Sequence, residues 1–98
     1  MQVVKNNIAV PNTWEPLHDL CLIYDKNFEF AEGKIYTITN NGAFPVWKAV
    51  LAERPDNKVN TGVLIKPFQS FEYKCETGAE VYVKSYGELS SLCIEVLP

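Results

Sequence analysis

No apolar run in this chain is long enough to cross a bilayer. The longest, "LCLIY" at 20–24, is far short of the roughly 20 residues a spanning helix needs. The start, "MQVVKNNIAVPNTW", lacks the apolar core of a cleaved leader, so the expectation is a chain with no membrane partner and no secretion through such a leader. Positive charge is also sparse. Arg54 is the only arginine, the lysines are scattered, and the net charge is −3. Phosphate backbones are gripped by clustered Lys and Arg, so nucleic acid is not expected as a partner. Cys21, Cys75 and Cys93 form no CxxC pair and no quartet with the single His18, which excludes a structural zinc site. Three reduced thiols in a reducing cytosol is the reading preferred, with one disulfide plus a spare thiol as the alternative. No GxSxG, P-loop or GxGxxG occurs, and no pair of carboxylates is marked as an acid/base couple. Internal repeats and low-complexity segments are absent too.

What the chain has is the makeup of one folded domain: 98 residues, 47% hydrophobic, enough for one core and too few for two. Strand signals dominate. "KIYTIT" (34–39), "SFEYKCE" (70–76), "EVYVKSY" (80–86) and "SLCIEVL" (91–97) are rich in β-branched and aromatic residues. In the second, Phe71, Tyr73 and Cys75 share one face and Glu72, Lys74 and Glu76 the other, the alternation of a strand with one buried side. "HDLCLIY" is apolar on both faces and is expected as a more central strand. "WKAVLAER" (47–54) is read as strand, with a helical turn at its end as the alternative. Gly-containing breaks at "AEGK", "ETGAE" and "YGEL" are expected to reverse the chain, and "ERPDNKVNTG" (53–62) to form an exposed loop. The fold class is therefore all-β: a small antiparallel sandwich or barrel formed by residues 18–98. Residues 1–17, with Pro11, Trp14 and Pro16, are expected as an extended arm or an edge strand.

"YTITNNGAFPVWKAV" (36–50) puts Asn40, Asn41 and Gly42 between two apolar-rich runs. Asn-Gly tolerates the positive φ of tight hairpins, so a turn is expected rather than a ligand-binding pair of amides. His18 and Cys21, three apart in an expected strand, would point to opposite faces, which argues against a Cys–His nucleophile. "DKNFE" spaces Asp25, Asn27 and Glu29 like the start of a calcium loop. Phe30 and Tyr36 stand where that loop needs Gly and Glu, so no calcium is expected. No catalytic residue, cofactor or metal is assigned. Trp47 is open to two readings, core residue or partner-facing anchor, and Trp14 in its proline-flanked segment points to the second. Trp14, Phe44 and Trp47 are the candidate interface residues.

"YTITNNGAFPVWKAV", "GVLIKPFQSFEY" and "GAEVYVKSYGELSSLCIEV", in that order, resemble small virion proteins of tailed bacteriophages, especially β-sandwich capsid decoration and fibre-base domains. The resemblance spans roughly residues 34–97. One departure is Pro67-Phe68, where the pattern has a Pro-Gly turn. It implies a non-enzymatic decoration or cement protein that coats a capsid in many copies, made in the host cytoplasm and localised to the virion. The implied partners are the major capsid protein or other virion subunits, with homo-oligomerisation. The alternative is a carbohydrate-binding or adhesin-type module of a tail or fibre. An enzyme using Cys21 or Cys93 trails both.

Overall fold

The computed structural model describes residues 2–96. Two four-stranded antiparallel sheets pack into a sandwich. The first has the order β1-β8-β3-β6, from Gln2–Val10, Ser90–Val96, Ile35–Asn40 and Ser70–Lys74. The second has the order β2-β7-β4-β5, from Glu15–Pro16, Glu80–Ser85, Val46–Leu51 and Val63–Ile65. The four segments richest in strand formers became β3, β6, β7 and β8, and "WKAVLAER" contributes most of β4. Alternation puts Ile38, Leu92 and Ile94 of the first sheet against Val46, Val81 and Val83 of the second. Each of the six is at most 2% exposed, and together they form the centre of the core.

The connections differ from the hairpins expected. Six of the seven strand-to-strand links change sheet, and only β4 and β5 are consecutive strands paired in one sheet. The Asn-Gly segment carries the chain from β3 in the first sheet to β4 in the second. Gly42 is absent from the residues with positive φ. It is glycine because a Cβ there would lie 2.5 Å from the Ser91 backbone nitrogen, besides striking the Ser90 hydroxyl. "ETGAE" and "YGEL" are likewise crossings between sheets. Reversal of direction and change of layer use the same Gly- and Asn-rich chemistry, so the turn signals located the breaks without saying which sheet follows.

"HDLCLIY" is not a central strand. Leu17–Leu22 form the helix α1, with Leu17, Leu20 and Cys21 buried, the i, i+3, i+4 stripe of a one-sided helix. Its six residues are too few for that period to stand out, and Ile23 and Tyr24 beyond it are exposed. Pro16, extended at φ −61° and ψ 130°, caps its start. The helix packs on β7, β1 and β2 and so closes the side of the sandwich where the two sheets end.

Of the two readings of the N-terminal segment, residues 2–10 take the edge strand and not the extended arm. Gln2–Val10 pair with β8 as the edge strand of the first sheet, and Ile8 and Val10 are fully buried. Glu15 and Pro16 pair with Val83 and Tyr82 of β7. That pairing lays Trp14 on the outer face of the second sheet, where it clusters with Ala49, Tyr82 and Trp47. The expected polar loop, residues 53–62, folds back over it. The Trp14 backbone N–H donates to Asn57 Oδ1 at 2.8 Å, and its indole N–H to the Val59 carbonyl at 2.7 Å.

Candidate functional site

Among the described residues the reactive side chains gather beside His18, and Cys21 is not with them. His18 and Cys21 share α1 rather than a strand, which replaces the opposite-face argument, yet Cys21 is completely buried in the core. His18 Nε2 lies 3.0 Å from the Phe28 carbonyl and Nδ1 lies 3.6 Å from Asp19 Oδ1. Beside His18 a cavity of about 220 Å³ is bordered by Glu29, Phe30, Tyr73, Cys75 and Glu80. Burial, and then the neighbouring Cys75, push the Tyr73 phenol up to about 12, so it stays protonated and acts only as a neutral donor. The Cys75 thiol, half-buried rather than fully so, donates to the Phe30 carbonyl at 3.5 Å. The "DKNFE" segment makes an Asx turn, with the Asn27 N–H on Asp25 Oδ1 at 3.1 Å. Among the described residues no group of three His, Cys, Asp or Glu is placed to hold a metal.

The opposite end of the sandwich is built differently. The three buried polar side chains of the described residues, Asn40, Ser85 and Ser90, all lie there. Asn40, fully buried, is the node. Its Nδ2 donates to the carbonyls of Phe44 at 2.8 Å and Ile65 at 2.9 Å, and its Oδ1 accepts the Gly42 N–H at 2.9 Å. Its backbone N–H donates to the Gln69 carbonyl, and its carbonyl accepts the Phe68 N–H at 2.6 Å. Ser90 Oγ donates to the Phe44 carbonyl at 2.8 Å, and Ser85 Oγ to that of Glu88. The Tyr86 N–H donates to the Pro45 carbonyl at 2.9 Å, so these bonds together fix three loops, 41–45, 66–69 and 86–89. A buried polar network with its members satisfied holds a single geometry.

On this rigid base stand apolar side chains. Phe68 is 84% exposed and Leu89 64%, and Phe44 in the 41–45 loop is half-buried. Only Lys66 and Glu88 carry charge within those three loops. Phe68 also has φ +69°. The Gln69 N–H donates to the Lys66 carbonyl at 3.0 Å, which makes Lys66–Gln69 a β-turn of the type that ordinarily has glycine in the position Phe68 occupies. A left-handed non-glycine residue costs about 1–2 kcal/mol. A fully solvated aromatic ring adds no core packing to offset that cost. The departure of Pro67-Phe68 from Pro-Gly was the signal in the sequence.

A second concavity, about 360 Å³, lies on the outer face of the second sheet between Trp47, Lys84, Tyr86, Asn12 and Asn60. Trp47 and Lys84 are register partners on β4 and β7. Of the three candidate interface residues, Trp14 is removed: its ring is 0% exposed and belongs to the fold. Phe44 sits within the apolar end. Trp47 is half-buried on the edge of this cleft and packs against the Trp14, Ala49 and Tyr82 cluster. Leu89 and Tyr86 were not singled out from sequence; Asn40 was read as part of a turn, and Phe68 only as a departure from Pro-Gly. Compared with protein-family models, curated proteins and solved structures, the chain matches none.

Proposed function

We propose that the protein is a non-enzymatic structural subunit of a virion, a capsid decoration or cement protein. It docks on the major capsid protein or a neighbouring virion subunit through the end of the sandwich that carries Phe68. The observation that supports docking is Phe68 itself: a large ring held in a strained conformation and projected into water. Stability alone favours glycine at that position, so a ring maintained there fits a role outside the free domain. The surrounding loops are nearly uncharged, the composition typical of the centre of a protein interface, and the Asn40 network presents them without a further cost of ordering. The virion assignment rests on the resemblance of residues 34–97. The test is to purify particles from cells that make the protein and count its copies by quantitative gel. Many copies per particle are expected. Absence from the particles would overturn the virion assignment, whatever becomes of the apolar surface.

A further inference from the structure

We infer that the cleft between Trp47 and Tyr86 binds a saccharide unit bearing a carboxylate. The inference rests on other side chains than the docking reading, although Tyr86 and Gly87 of the 86–89 loop border this cleft as well. Two aromatic side chains border it, Trp47 and the 57% exposed Tyr86. Aromatic faces pack against the C–H face of a pyranose ring, and the hydroxyls around that ring need donors and acceptors. Asn12 and Asn60 supply amides on the same wall, each able to donate and accept.

Two features select the class further. The Trp47 indole N–H is buried and, among the described residues, is the side-chain polar group that has no hydrogen-bond partner. Buried polar groups are nearly always paired; the Trp47 residue borders the cleft, and a small shift of that wall on binding would bring its closed-off N–H to a ligand oxygen. Lys84 is the second. Its ammonium donates to the Asn57 carbonyl at 2.5 Å and to Asn60 Oδ1 at 3.1 Å. Those two neutral acceptors hold it in place and leave one of its three protons. Among the described residues no carboxylate borders the cleft, so a ligand carboxylate meets a fixed cation with no competitor there. A neutral sugar leaves that charge unanswered.

The test is a titration of the isotopically labelled full chain, following its two indole N–H resonances, with glucuronate, galacturonate, N-acetylneuraminate and, as the neutral comparison, glucose. The Trp14 indole is closed off on the Val59 carbonyl and serves as an internal reference. Loss of a peak in Trp47→Phe assigns the other. At least one acidic sugar is expected to shift the Trp47 resonance saturably while Trp14 stays still. Lys84→Met is expected to weaken that binding at least about tenfold, the worth of a hydrogen bond to a charged group, and Tyr86→Ala to weaken it as well. Both residues are at the surface, and the Trp14 resonance reports whether each variant is folded. Three results would overturn the inference: no shift with any acidic sugar, an equal shift with glucose, or undiminished binding by folded Lys84→Met.

Discussion

Replacing Asn40 by Asp changes one atom type and tests the node that builds the apolar end. In the native protein Nδ2 donates to two carbonyls, at 2.8 and 2.9 Å, inside a fully buried site. The aspartate puts an oxygen against both. Two hydrogen bonds are lost at about 1 kcal/mol each, and a buried carboxylate faces two carbonyl oxygens, which brings the cost to about 3–4 kcal/mol at pH 7. A domain of this size has about 5–10 kcal/mol in total, so the melting temperature should fall by about 12–25 °C. The pH dependence has a definite sign. Burial raises the folded-state pKa of the new carboxyl above its unfolded value of about 3.9. The deficit is therefore full above the folded pKa and shrinks as pH falls toward 3.9, because the protonated acid is neutral and regains a donor. Asn40→Ala loses those bonds and the acceptor of the Gly42 N–H as well, without adding a charge, and its deficit should not change with pH. Urea unfolding followed by circular dichroism at pH 7 and pH 4.5 measures both. An Asn40→Asp protein within 1 kcal/mol of the native one at pH 7, or a deficit unchanged at pH 4.5, would refute the assignment of Nδ2 as a double donor.

Deleting residues 1–16 should unfold the domain rather than leave a soluble core, since it removes fully buried Ile8, Val10 and Trp14 at about 2–4 kcal/mol each; a cooperative melt in the truncated chain would contradict this. Tyr73 is held at about 12 and Tyr82 is also raised, in both cases mainly by burial. In the unfolded chain these phenols ionise near pH 10, so they oppose unfolding less and less as pH rises from about 10 to about 12. Ultraviolet titration should accordingly show Tyr73 and Tyr82 ionising late. Burial and the adjacent Glu95 raise the Cys93 thiol, so iodoacetamide at pH 8 should modify it more slowly than a free thiol in solution; modification as fast as glutathione would be inconsistent with that environment.

Period-two alternation was strong enough in "SFEYKCE" and "SLCIEVL" to give both the strands and their buried faces, because in a sandwich each strand has one dry side. Order of pairing was not legible. Whether "TNNGAF" folds back beside β3 or crosses to the other sheet depends on contacts with Ser90 and Ser91, about 50 residues further along the chain. The six-residue α1 failed for a related reason: Leu17, Leu20 and Cys21 read equally as helix stripe or two-faced strand over so short a span. Trp14 was misread because its partners, Asn57 and Val59, lie in a loop that looks solvated when taken alone. The apolar end was visible only as an oddity, phenylalanine after Pro67. Its meaning came from a backbone angle and an exposure that no pattern of residue types specifies.

Phe68→Gly separates docking from folding in one protein. Glycine relieves the positive φ, so the purified variant should unfold at a free energy about 1 kcal/mol higher than the native chain. Loss of the ring should remove an anchor worth about 2 kcal/mol at the interface, roughly a thirtyfold loss in affinity. The decisive measurement is the copy number of Phe68→Gly, against the native protein, on particles purified from cells making equal amounts of each. The account predicts a more stable protein that is largely missing from the particles; full occupancy by Phe68→Gly would contradict it.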